Sequence, residues 1–305
     1  MPDHSANTRG VILMIAGSAC FAFNDTFSKL ALGLHMPTSQ ILAERGAMAA
    51  VMLLCLIALR GELAGLRHAL DRHALMRAMA EALGTVFYIT ALSTMSIGDA
   101  AAVLQIAPIA TMAAAVLFFG ARLSWQSWVA VIVGFVGVGL IIKPGASAFD
   151  PMAFLPLGSA LLISFRDFVT GRIGSHVPTL VVTLMTAIMS MVFGMAGSTF
   201  ETWQPLDLPL IGMLAGGAVA MVLGHTLTIG AFRGTDPALI APFRYAAVVC
   251  AVGLSATVFD NPPDLVSIGG MAMIVAAGLA TMRSHRNSAR RAEIIAAAAS
   301  ESQTN

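Results

Sequence analysis

Charged side chains recur inside the apolar stretches of this chain, and twice they follow the same small-residue signature. Gly17-Ser18-Ala19 is followed by Asp25 and Lys29, and Gly158-Ser159-Ala160 by Asp167 and Arg172, the spacing slipping by one residue at each step. Charge in hydrocarbon-like surroundings is costly, so it faces a partner or a cavity, where it can relay protons, pair across helices or hold a polar solute. Glu44 and Arg45 in the first half, and Arg166, His225 and Arg244 in the second, add to the set. Duplicated hydrophobic halves with buried charge are one plan on which membrane transporters are built.

The elements that must carry these residues are transmembrane helices. Of 305 residues 57% are hydrophobic and only 11% charged, where a soluble domain carries about 25%. The net charge of +1 points to no strongly acidic or basic partner, and nothing supports nucleic-acid binding. A helix needs about 20 apolar residues to cross the bilayer core. Cutting at polar and Pro/Gly breaks predicts ten spans, at 10–31, 38–59, 75–95, 99–120, 125–143, 152–171, 178–198, 209–232, 237–257 and 264–282. The first, holding Asn24, Asp25 and Lys29, lacks a small-residue cleavage site and reads as a retained helix, not a signal peptide.

With the N-terminus placed in the cytoplasm, twelve arginines fall on that side, among them Arg60, Arg67, Arg72, Arg77 and those of the tail after Arg283. Only Lys29 and Lys143 fall toward the outside, and Arg45, Arg166 and Arg244 lie within spans. That is the bias of the positive-inside rule. Both termini are then cytoplasmic, and five spans per half turn the second half upside down relative to the first. The expected fold class is an all-α integral membrane protein of ten transmembrane helices in two inverted five-helix repeats: 1–145, 150–283 and a cytoplasmic tail at 284–305.

At 1.5 Å per residue, Asp25, Lys29, Glu44 and Arg45 share a depth in the outer third, where they read as gating or proton-coupling residues. Asp167 falls in the inner third with Arg166, His225 and Arg244. Arginine grips carboxylates bidentately, which makes Arg244 and Arg166 candidate ligands of a substrate carboxylate. Tyr88, Gln105, Pro108, Thr228, Pro242 and Tyr245 lie between the clusters; Tyr88, Gln105, Tyr245 and His225 are candidate hydrogen-bonding groups. Asp25 or Asp167 would carry a coupling proton if burial favours its neutral form. The bland alternatives are snorkelling end charges, structural ion pairs and interhelical glue. Gly134, Gly137, Gly139, Gly269, Gly270, Gly278 and the Gly212-x-x-x-Gly216 spacing read as helix-packing surfaces.

No catalytic constellation is present: there is no H-E-x-x-H, G-x-S-x-G or P-loop. Cys20, Cys55 and Cys250 lie in apolar runs, and His4, His35, His68, His73, His176 and His285 lack metal-ligand spacing. No metal and no cofactor are expected. A membrane transferase would need clustered acids or a nucleophile–base pair, which the sequence lacks; a pore or sensor without coupled transport is the remaining alternative.

The stretch Tyr88 to Pro144, YITALSTMSIGDAAAVLQIAPIATMAAAVLFFGARLSWQSWVAVIVGFVGVGLIIKP, closely resembles the first EamA repeat of the drug/metabolite transporter superfamily. Asp236 to Gly278, with DPALIAPFRY and FDNPPD, resembles the second. The resemblance implies ten helices in inverted halves, termini inside, and import or export of a small metabolite: an amino acid or other carboxylate-bearing solute, or alternatively a nucleotide-derived compound or vitamin. It implies a central cavity between spans one to four and six to nine, with five and ten packed outside. Where the family often ends span four with Gly-Glu, this chain has Gly120-Ala121, so no ion pair carries over to that position. The expected setting is a bacterial inner membrane. The partners are a small-molecule substrate, the lipid bilayer and a coupling proton, and the choice between monomer and homodimer is left open.

Overall fold

The structure, a computed structural model, describes residues 4–107, 125–142, 151–170, 172–174, 176–232, 241–277 and 279–280. Pro108, Gly120, Ala121, Lys143, Gly278, the loop at 233–240, the tail and the side chains of Asp167 and Pro242 lie outside the described residues. Ten α-helices run through the described residues. They are α1 (His4–Gly33), α2 (Thr38–Leu59), α3 (Arg72–Leu92), α4 (Ile97–Leu104), α5 (Trp125–Ile142), α6 (Leu155–Thr170), α7 (Thr179–Gly197), α8 (Leu208–Phe232), α9 (Ala246–Val258) and α10 (Leu265–Ala277). Five stretches within α1, α2, α3, α7 and α8 are long and apolar enough to cross a membrane, and shorter apolar helices lie at Ile132–Ile141, Phe243–Val258 and Leu265–Ala277.

Side chains just ahead of several helices start them. Asp71 accepts hydrogen bonds from the N–H groups of His73 and Ala74 at 3.0 Å each, capping α3. Ser96 accepts from Asp99 N–H at 3.0 Å at the head of α4, and Asp207 accepts from Leu210 N–H at 2.9 Å at the head of α8. Each satisfies a donor that the first helical turn leaves without a partner. The helices α2 and α7 both begin at the Thr of a Pro-Thr pair, with no side-chain cap from Pro37 or Pro178. The start of α2 is served from far away in sequence: Ser39 N–H donates to Glu201 Oε2 at 2.7 Å, and Trp203 Nε1 to Ser39 Oγ at 2.8 Å. Gln40 and Gln204 exchange two bonds, at 2.8 and 3.0 Å. The segment between α7 and α8 is thereby strapped over the start of α2.

The principal contacts cross between the N-terminal and C-terminal halves: α1 lies on α8 and α9, α2 on α7 and α8, α3 on α6 and α7, and α4 on α9. Small residues permit the closest approaches. A Cβ on Gly194 would lie 2.4 Å from Ala43 N and 2.5 Å from Ser39 O, and one on Gly46 2.8 Å from Ala187 O, so α2 and α7 meet backbone to backbone. A Cβ on Gly137 would lie 2.7 Å from Gly270 O, which brings α5 against α10. The repeated Gly-Ser-Ala signature works the same way: Gly17 admits Thr228 of α8, and Gly158 admits Phe87 of α3. Among the described residues, the expectation that all the span glycines mark helix contacts fails at Gly139, Gly212 and Gly269, where an added Cβ meets nothing within 4 Å.

Candidate functional site

A cavity of about 310 Å³ opens where α1, α3, α4, α6 and α8 converge. Its walls carry hydroxyl, amide, guanidinium and carboxylate groups in a bundle otherwise built of Ala, Val, Leu, Ile and Met. Both serines of the repeated signature reach it; Ser18 is 3% and Ser159 1% exposed.

One pole of the cavity is built on α1, α2 and α3. Arg45, 2% exposed, donates from Nη1 to Asn24 Oδ1 and to Ser28 Oγ, both at 3.0 Å. Tyr88 OH donates to Asp25 Oδ2 at 3.0 Å, and Asn24 Nδ2 to Asp25 Oδ1 at 3.1 Å. Asp25 and Arg45 lie within electrostatic reach of each other. The carboxylate and the guanidinium are joined through Asn24, which sees both, so each keeps a hydrogen-bonded partner despite burial. Arg45 Nε and Ser159 Oγ have no hydrogen-bond partner among the described residues, and both residues border the cavity.

The other pole is built on α3, α6 and α7. Arg166 Nη1 reaches both oxygens of Glu81, at 2.9 and 2.8 Å. Arg77, one helical turn before Glu81, approaches it at 3.5 Å, with Nη1 on Thr186 Oγ1 at 2.8 Å and Nε on Thr170 Oγ1 at 3.2 Å. This triad ties α3 of the first half to α6 and α7 of the second. Arg77, counted from sequence with the cytoplasmic arginines, is a buried residue of α3, and Glu81 was not singled out at all. The i,i+4 acid–base spacing of the two at the start of a span was the available signal.

His225 sits between the poles. Its ring meets Phe21 edge-on at 5.0 Å, and the charges of Glu81, Arg77, Arg166 and Arg45 all act on it. Gln105 lines the cavity and donates to the Arg244 carbonyl at 3.1 Å, and Arg244 lines it from the 3₁₀ turn Ala241–Tyr245 before α9. Tyr245, on the same turn, is buried, and its hydroxyl has no hydrogen-bond partner among the described residues.

Of the residues singled out from sequence, Asp25, Arg45, Tyr88, Gln105, Arg166, His225 and Arg244 line this one cavity. Lys29 does not: its ammonium donates to the carbonyls of Leu92, at 2.9 Å, and Met95. There it closes the C-terminal end of α3, where free carbonyls and the helix dipole favour a cation. Glu44 is half-buried on α2 and does not border the cavity. The four outer charges thus share a depth by sequence count but not a site. Among the described residues there is no cluster of three or more His, Cys, Asp or Glu suited to a metal.

Among the described residues, an all-helical apolar bundle whose charges gather around an internal cavity is the architecture of an integral membrane protein. Residues 8–143, somewhat under half of the chain, match the sequence model of the EamA-like transporter family. The S-adenosylmethionine uptake transporter of Rickettsia bellii is 28% identical over 174 residues, covering 56% of this chain and 59% of that protein. The chain thus spans about three fifths of that relative. The riboflavin transporter of Vibrio cholerae is 23% identical over 292 residues, covering 94% of this chain and 97% of that protein. A solved crystal structure shares the fold with a TM-score of 0.61 at 19% identity, over 92% of this chain and 98% of the other.

Proposed function

We propose that this protein is a secondary transporter that moves a small organic metabolite across a bacterial inner membrane by alternating access. The observation that carries the reading is the cavity of about 310 Å³, lined by Asp25, Arg45, Glu81, Arg166, His225 and Arg244. Its volume lies at the lower end of the roughly 300–1,000 Å³ typical of small-molecule sites. Buried charges in a membrane bundle mark a solute path more often than a structural need.

The proposed architecture is two inverted five-helix halves with both termini cytoplasmic. Its support is the contact pattern. Exchanging α1–α5 for α6–α10 turns the α1–α8 contact into α6–α3, α2–α8 into α7–α3 and α1–α9 into α6–α4, all of which occur, while α2–α7 and α4–α9 map onto themselves. In this reading the cargo is carboxylate-bearing, an amino acid or a related solute. Arg244 and Arg166 are its anion ligands, and Tyr88, Gln105 and His225 are its hydrogen-bonding partners, with Tyr245, buried beside Arg244 and off the cavity lining, the remaining candidate. Asp25 or Asp167 carries a coupling proton. Arg45 joins Asp25 in gating one end, and Lys29 and Glu44 support that end from outside the cavity.

Uptake or efflux of labelled solutes by the purified protein in sealed vesicles tests this. Arg244→Ala is expected to abolish flux while the protein still inserts and elutes as a folded species. Wild-type flux in that variant would remove Arg244 from the site, and product formation without a second compartment would replace transport by chemistry.

A further inference from the structure

Asp25 and Arg45 are matched to each other through a neutral go-between. The two oxygens of Asp25 accept from Tyr88 OH at 3.0 Å and from Asn24 Nδ2 at 3.1 Å. Arg45 Nη1 in turn donates to Asn24 Oδ1 and Ser28 Oγ, both at 3.0 Å. The guanidinium therefore touches only neutral groups, and the charge that acts on it is that of Asp25. Its Nε has no hydrogen-bond partner among the described residues. The helix α8 passes over it with Gly217, where an added Cβ would lie 3.4 Å from Arg45 Cδ and which brings no side-chain acceptor.

Both residues line the cavity, but Arg45 is 2% exposed and Asp25 is half-buried. A proton entering with cavity water is taken up by Asp25, since arginine stays charged at any working pH. One proton added to the carboxylate makes an O–H that donates to Tyr88, whose hydroxyl oxygen turns from donor to acceptor. The hydrogen bonds survive and the negative charge does not. Arg45 is then a buried guanidinium with neutral partners alone, a costly arrangement that a new counter-ion relieves.

We propose that Arg45 is shared in turn by Asp25 and the solute. Protonation of Asp25 releases the guanidinium to hold the solute's carboxylate, so one proton and one solute load together and cross in the same direction. This rests on the transporter reading above and adds to it a solute-binding role for Arg45 and a mode of coupling. By linkage the bound solute raises the affinity of Asp25 for its proton as much as the proton raises that for solute. The other titratable or charged groups around Asp25 are Tyr88 and Glu81 on α3, His225 on α8, and Arg244 and Tyr245 on the turn before α9. Glu81 is held by Arg166, and Asp99 of α4 lies within reach of Lys29.

Acetate, a bare carboxylate, tests the exchange without knowledge of the cargo. A ligand that binds the native state raises Tm, so the purified full-length protein is melted in acetate against chloride of equal ionic strength, from pH 8 to pH 6. The apparent Kd of the wild type is expected to tighten as pH falls, by up to about tenfold per unit, the limit for one proton taken up per solute. Asp25→Asn is expected to bind at least as tightly as the wild type at pH 6, with no pH dependence. Arg45→Gln is expected to bind about tenfold or more weakly throughout. The double variant Asp25→Asn with Arg45→Gln removes both charges. It is expected to melt above Asp25→Asn when acetate is absent, and to ignore acetate.

The proposal is overturned if Asp25→Asn binds acetate no better than the double variant, or melts above it without acetate. A pH dependence that survives in Asp25→Asn would belong to His225 or another group and overturns it as well. So does an affinity that rises with pH, or acetate that stabilises none of these proteins. Vesicle flux separates the two readings. Solute flux indifferent to a pH gradient removes the coupling and keeps transport, whereas proton-linked acetate binding without flux of any labelled solute removes transport and keeps the exchange at Arg45.

Discussion

At the scale of single residues, the charges of this protein do two different jobs. Lys29 stoppers the end of α3, and Asp71 caps its beginning. Asp25, Arg45, Glu81 and Arg166 instead turn their charge toward the cavity. Asp71 lends itself to a pH experiment because it lies outside the spans. Its hydrogen bond from the Ala74 N–H, followed by that from His73 and the nearby His73 and His176, holds its carboxyl below the ordinary value of 3.8. The folded state therefore favours the ionised form, and the resulting stabilisation is fully present above the ordinary carboxylate range. It fades as pH falls through the folded value. Asp71→Ala is expected to cost about 1 kcal/mol, the usual worth of an N-cap, while Asp71→Asn, which still caps, costs less. The difference in Tm between wild type and Asp71→Asn should shrink on acidification from pH 6 toward pH 3; a gap that widens would assign the effect to another group.

At the scale of elements, the α2–α7 contact is the tightest seam between the halves. Gly194 is its most demanding position, since any Cβ there would overlap the backbone of Ala43 and Ser39. Backbone cannot step aside as a flexible side chain can, so Gly194→Ala is expected to destabilise by about 1–3 kcal/mol. Gly212→Ala on α8 faces open space and is expected to be neutral or to stabilise by up to about 1 kcal/mol, because alanine loses less backbone freedom in a helix. Thermal denaturation of the two variants side by side decides it, and equal shifts would show that the seam is looser than its geometry. Helix positions were legible in sequence because a run of apolar residues long enough to span is hard to hide: α2 is found at Thr38–Leu59, as read from the sequence. Which glycines pack was not legible, because Gly137 and Gly139 look alike until a partner helix chooses between them.

At the scale of the whole molecule, the proposed topology puts the α2–α3 and α7–α8 connections on opposite sides of the membrane. They lie at opposite ends of the α2–α7 pair, one beside Pro178 and the other strapped to Ser39 and Gln40. Phe200 in the second connection and Leu70 in the first are 91% and 80% exposed. With Cys20, Cys55 and Cys250 replaced, Phe200→Cys should react with a membrane-impermeant maleimide in intact cells, and Leu70→Cys only after permeabilisation. The reverse pattern would invert the assignment of inside and outside.

Composition, span length and the arginine bias come from chemistry that each residue expresses alone against lipid or water. The sequence by itself therefore determined that this is a membrane protein, where a helix such as α2 lies, and that charge falls within spans at Asp25, Arg45, Arg166 and Arg244. It also pointed to Tyr88, Gln105 and His225, which the fold gathers around the same cavity. The pairings were decided only by tertiary structure. Asp25 meets Tyr88 across 63 residues, and Glu81 meets Arg166 across 85. Depth counted along a helix says how far a charge lies from the surface but not which way it faces. That is why Lys29 and Glu44 share a level with Asp25 yet lie off the cavity, and why nothing in the sequence set Glu81 apart before Arg166 met it.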